Sequence, residues 1–161
     1  MKKNSVGIIV DNLSSSKIIY DFIKMSHNSN NYKVTHLIIQ KNPELEGGLF
    51  KKSIRLIKRQ GIKKYLAKTT FKALSKIELL MIKTFYKSSK VFNKYDISNF
   101  NLKIIEVEPN ISKDGLVFTY NDKDIEKIKS LELNLLIRGG NGILKGEILS
   151  TCKNGVISFH H

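Results

Sequence analysis

Five short apolar runs, at residues 6–10, 34–39, 102–107, 133–137 and 155–159, punctuate this 161-residue chain. Between them the apolar residues shift to a three-or-four spacing. That change of period constrains the fold more than any other feature. The run Val6-Gly7-Ile8-Ile9-Val10 shows no apolar–polar alternation, as expected of a strand covered on both faces. Asp11 and Asn12 end it, Ser14, Ser15 and Ser16 offer N-caps, and Ile18, Ile19, Phe22 and Ile23 recur on one helix face. With the run at 34–39, the opening forty residues read as a βαβ unit with parallel strands.

The same rhythm returns from residue 102. A strand over 102–107 leads through a turn-rich passage around Pro109, Asn110 and Gly115 to a helix opening at Asp122. Asp122, Asp124 and Glu126 stand near its positive end, with Lys127 and Lys129 nearer its negative end, the order the helix dipole favours. Ile125, Ile128 and Leu131 form its buried stripe. A strand over 133–137, a flexible glycine loop at 139–142, a short helix around 147–150 and a last strand over 155–159 complete the pattern. The expected fold is α/β: one Rossmann-like domain over 1–161, with a mostly parallel sheet of about five strands flanked by helices.

The segment 49–95 interrupts this plan and reads as a helical insertion. Ile54, Ile57, Phe71, Leu74, Ile77, Met81 and Phe85 mark amphipathic helices, with Gly61 as a break. Residues 51–94 hold fourteen Lys or Arg against one acid, Glu78, so they carry +13 of the formal net charge of +14. Such a stripe fits a nucleic-acid or anionic-surface binding module, with Tyr65, Phe71 and Phe85 as stacking groups. Solvated helix faces tolerate lysines at little cost, and those aromatics share the apolar stripe, so packing is the simpler account.

No stretch approaches the ~20 apolar residues of a membrane-spanning helix, and no secretory leader precedes the first strand, so a soluble cytoplasmic chain is expected. Cys152 is the only cysteine, which excludes an intrachain disulfide; as a lone small residue it is expected to be packed rather than nucleophilic. No Gly-x-Gly-x-x-Gly follows the first strand, no phosphate loop occurs, and His27, His36, His160 and His161 lack zinc-ligand spacing, so no metal site is expected.

Two segments remain as carriers of chemistry. In Arg138-Gly139-Gly140-Asn141-Gly142-Ile143-Leu144, three positions without side chains let backbone groups approach a ligand. In Ser158-Phe159-His160-His161, the strand period of two places Ser158 and His160 on one face, and a strand-end histidine suits proton transfer near neutral pH.

Taken in tandem, the two segments resemble the 10-formyltetrahydrofolate-dependent formyltransferases. In that family a strand ends in a glycine-containing loop, followed by Ile-Leu, a short helix with a leucine, and a strand of the type Gly-x-Ile-Asn-x-His. The likeness runs over about residues 102–161, is weaker over the first forty and is absent from the basic insertion. It implies transfer of a formyl group from 10-formyltetrahydrofolate to the amine of a small-molecule acceptor such as an amino sugar. The loop Gly139, Gly140, Asn141, Gly142, Ile143 and Leu144 would cradle the pterin. His160 would shuttle the proton, and Ser158 would stand where the family has an oxyanion-holding Asn. Lys145 and His161 replace family prolines. The family's aspartate and substrate loop would follow residue 161, so the chain is expected to be a fragment, inactive alone, with a complementary chain or a second copy as partner.

Overall fold

The computed structural model describes residues 3–41, 57–58, 61–85 and 93–158, with the backbone alone at 64, 68 and 83–85. The chain divides into two compact units, one formed by Met1–Asn42 with Lys94–His161, the other by Pro43–Asn93. In chain order the elements are β1 (Asn4–Val10), β2 (Ser14–Ser15), α1 (Lys17–Asn28), β3 (Tyr32–Gln40), α2 (Ile62–Phe85), β4 (Tyr95–Asp96) and β5 (Lys103–Val107). They continue with β6 (Asn110–Ile111), β7 (Val117–Thr119), α3 (Asp122–Lys129), β8 (Leu135–Arg138), β9 (Ile143–Leu144) and β10 (Val156–Ser158).

The first unit is built on a five-stranded, all-parallel sheet in the order β10-β8-β1-β3-β5. From β1 the chain winds outward through β3 to β5, then returns to the other side of β1 for β8 and β10. This is the α/β Rossmann-like plan that the apolar runs predict. Both faces of the central strands are covered, which is why their sequences do not alternate. One face carries Val6, Ile8, Val10, Leu37 and Ile137 against Ile19 and Ile23 of α1. The other carries Ile9, Ile38, Val107 and Leu136 against Ile125 and Ile128 of α3. Each such fully buried side chain contributes about 1.5–3 kcal/mol of transfer free energy.

The two helices begin at side-chain caps. The Ser16 hydroxyl accepts from Ile19 N at 3.5 Å, and the Asn121 carbonyl accepts from Asp124 N at 2.8 Å. Asp124, itself buried, accepts a further bond from Glu108 N at 3.0 Å, which ties α3 to the chain leaving β5.

Two small sheets fall outside what the sequence pattern indicates. Ser14 and Ser15 form β2, paired antiparallel with Tyr95 and Asp96 of β4, while Ser16 alone takes the cap. The passage after Pro109 is a hairpin: β6 pairs antiparallel with β7, and β7 pairs in parallel with β9. Strands of two or three residues are too short to register a period. Residues 147–150 form a 3-10 turn.

Cys152 is buried beside the Thr151 hydroxyl, and burial pushes its thiol above the usual range. A thiol-alkylating reagent at neutral pH should therefore label the native chain far more slowly than the urea-unfolded chain. Equal labelling rates would show that Cys152 is not packed as described.

In the second unit, α2 runs for 24 residues. Gly61, at φ +80°, precedes it and donates to Ile57 O at 2.8 Å, and the helix restarts with Tyr65 N donating to Gly61 O at 3.1 Å. No described helix is long and apolar enough to cross a membrane.

Candidate functional site

In an open parallel sheet the winding direction reverses between two neighbouring strands, and beyond their carboxyl ends no crossover chain closes the gap. Here that point lies between β1 and β8. A cleft of about 390 Å3 opens there, lined by Asp11, Asn12, Ser14, Ile18, Lys94 and residues 138–142 among others. The volume falls within the ~300–1,000 Å3 of small-molecule sites.

The glycine loop is not slack. Its first amide, Gly139 N, donates to Ile9 O at 2.8 Å, continuing the β1–β8 ladder by one residue. Its far end enters β9, where Ile143 N donates to Leu116 O at 2.6 Å. Between these anchors the Asp11 carboxylate holds the turn, accepting from Asn141 N at 3.1 Å and from the Asn141 side-chain amide at 2.6 Å. Asp11 is held in turn by Gln40, whose amide nitrogen donates to it at 2.8 Å. Gln40 is 1% exposed, and its carbonyl accepts from the Tyr120 hydroxyl at 2.5 Å. Burial raises the Tyr120 pKa, so the phenol stays protonated and remains a donor. The chain Tyr120, Gln40, Asp11, Asn141 thus fixes the loop from the protein interior.

This scaffold explains why side chains are absent from the loop. A Cβ at Gly140 would lie 2.7 Å from Gln40 Nε2 and 2.8 Å from Asp11 Oδ1. One at Gly139 would lie 2.7 Å from Ile19 Cδ1. Gly142, at φ +88°, has the Phe118 ring where its Cβ would stand. The loop expected to be flexible is pinned on both sides.

β10 is the parallel neighbour of β8, with Ser158 opposite Arg138. The Arg138 guanidinium donates from Nη1 to the Ser158 hydroxyl at 2.9 Å, while its Nε is buried with no hydrogen-bond partner among the described residues. Burial lowers the Arg138 pKa, against an opposing pull from Asp11.

Of the residues singled out in the sequence, the structure brings Gly139, Gly140, Asn141 and Gly142 together at the cleft, along with Arg138. Its described lining does not include Ile143, Leu144 or Ser158. Ile143 is half exposed in β9, and Leu144 packs into the core with Phe118 and Ile148. His160 lies outside the described residues, as do Phe159 and His161. Sequence reasoning missed Asp11, Gln40, Tyr120 and Lys94. The available signal was positional: Asp11 and Gln40 sit at the carboxyl ends of β1 and β3, where a parallel sheet places its ligands.

No protein-family model, no curated protein and no solved structure matches the chain.

Truncating Asp11 tests the scaffold. Asp11→Ala should lower stability by about 2 kcal/mol, the scale of lost hydrogen bonds to a charged acceptor. Amide exchange at Asn141 should quicken at least about tenfold, the equivalent of ~1.4 kcal/mol. Unchanged exchange at Asn141 would mean that Asp11 does not hold the loop.

Proposed function

We propose that the first unit is a formyltransferase-like domain that binds 10-formyltetrahydrofolate at the β1–β8 switch point and passes its formyl group to the amine of a small-molecule acceptor. The observation that carries this reading is the juxtaposition on neighbouring parallel strands: a glycine turn continues from β8, and β10, which ends at Ser158, lies beside it.

The residues present fit a pterin. A flat heterocycle with a donor–acceptor edge suits backbone amides and carbonyls at a cleft, and Gly139, Gly140 and Gly142 line this one, although the space their Cβ atoms would take is filled from the protein side by Ile19, Gln40, Asp11 and Phe118. The buried Arg138 Nε, which has no hydrogen-bond partner among the described residues, adds a donor near the cleft. When bound, 10-formyltetrahydrofolate supplies an activated one-carbon unit at the formate oxidation level. The chain's own residues would orient it and handle charge and protons. His160 is assigned the proton transfer from the attacking amine.

Ser158 is shorter than the asparagine that the family resemblance leads one to expect and is not part of the described cleft lining; its pairing with Arg138 orients the hydroxyl. Because the hydroxyl oxygen already accepts from the guanidinium, its single hydrogen is left to donate to a developing oxyanion.

The test is a titration of the labelled chain with tetrahydrofolate and 10-formyltetrahydrofolate, followed by amide chemical shifts. Saturable binding with the largest shifts at Asp11 and residues 138–142 is expected. No saturable binding, or shifts confined to α2, would refute the assignment.

A further inference from the structure

The second unit presents a surface that the folate reading does not use. α2 exposes a continuous set of large apolar side chains: Leu66, Phe71, Leu74, Ile77, Leu80 and Met81 are each 55–70% exposed. At about 100° per residue these positions occupy roughly half the helix circumference. Positions 68, 72, 76 and 83, all lysine, fall together on the opposite side in sequence register, and Lys72 and Lys76 are exposed. The helix carries six lysines and one acid; Lys63 and Glu78 fall within the apolar half in sequence register.

We propose that α2 lies along an anionic lipid surface, with its apolar side at the headgroup–acyl boundary and its lysines against acidic headgroups. Charge and apolar character must both be matched, and this decides among occupants. A nucleic acid would neutralise the lysines but leave the leucines and Phe71 in water. A second copy of the helix would bury a seam narrower than this face and would bring lysine stripes of like charge together. An anionic bilayer surface satisfies both sides of the helix at once.

Two hydroxyls on the helix agree with a low-dielectric neighbour. Thr70 stands among the apolar positions, and its hydroxyl donates back to Leu66 O at 3.0 Å and Ala67 O at 2.9 Å; Thr69 does the same to Tyr65 O and Leu66 O. Neither hydroxyl depends on water for a partner. The helix is amphipathic rather than uniformly apolar and does not qualify as a membrane span, so it would lie on the surface rather than cross it.

The test uses the full chain and vesicles of phosphatidylcholine, with and without phosphatidylserine. Cosedimentation should be at least tenfold tighter with phosphatidylserine present and should weaken as salt is raised. Leu74→Glu combined with Leu80→Glu should reduce it at least tenfold while leaving the unfolding midpoint in place, because both side chains are already exposed. The chain has no tryptophan, so Leu80→Trp gives a unique probe whose emission should shift to the blue on phosphatidylserine vesicles. Indifference to phosphatidylserine, or an emission that stays at the water-exposed wavelength, overturns the proposal. So does duplex RNA binding that the double glutamate variant retains in full while vesicles are ignored. Tetrahydrofolate binding is a separate readout, so either proposal can fail alone.

Discussion

Gly142→Ala should destabilise the first unit by about 2–5 kcal/mol, the sum of left-handed backbone strain (~1–2) and overpacking against a filled core (~1–3). Gly142 has φ +88°, and the space a Cβ would need is occupied by the ring of Phe118, itself only 3% exposed. That ring belongs to β7, which pairs with β9 directly after the loop, so it has no room to retreat without breaking the small sheet. Gly146 provides the control. It has φ +82° and ψ −155°, a region essentially reserved for glycine, but nothing within 4 Å of a Cβ position, so Gly146→Ala should carry backbone strain alone, about 1–3 kcal/mol. Urea unfolding of both variants measures the difference through the midpoint at constant slope. A loss of less than about 1 kcal/mol in Gly142→Ala would show that Phe118 does not wall the loop. A weakened tetrahydrofolate affinity in Gly142→Ala, at urea concentrations where the fold persists, would connect the wall to the cleft.

How far the sequence disclosed this arrangement depended on the length scale of each interaction. The parallel sheet was legible because strands buried on both faces leave dense apolar runs, such as Ile8-Ile9-Val10 and Leu135-Leu136-Ile137. The helices were legible because Ile19 with Ile23, and Ile125 with Ile128, repeat at helical spacing. The loop at 139–142 was legible as a place where backbone comes close to something. What it comes close to was not. The bonds that define the site join Gln40 to Asp11 across 29 positions, Tyr120 to Gln40 across 80 and Asn141 to Asp11 across 130. No local pattern encodes such pairings, so a pinned loop read as a flexible one. The hairpin β6–β7 escaped for the opposite reason: its strands are so short that they carry almost no pattern. Arg138 and Ser158 both lay in segments that stood out by position, whereas their pairing emerged only once β8 and β10 proved to be neighbours.

Leu136→Ala should cost about 2–5 kcal/mol, the range for emptying a buried leucine site. Leu136 is fully buried, on the sheet face that packs against α3, and it is flanked in register by Gly7 of β1 and Val156 of β10. Gly7 shows how tightly that region is filled: a Cβ there would lie 2.5 Å from Leu133 Cδ1 and 3.2 Å from Leu136 Cδ1. Gly7→Ala should accordingly be destabilising in the native background by about 1–3 kcal/mol, since the leucine ends must move within a packed core. Once Leu136 is an alanine, one of the two obstructions is gone and the added methyl occupies part of the vacated space. The double variant should therefore lose less stability than the two single variants together, by about 0.5 kcal/mol or more, as expected of residues in contact. Strict additivity in chemical denaturation would mean that Gly7 and Leu136 do not share a packing space. Because Leu136 is two residues from Arg138, the same cycle probes the anchorage of the strand from which the glycine turn departs, and Arg138–Ser158 pairing should loosen with it.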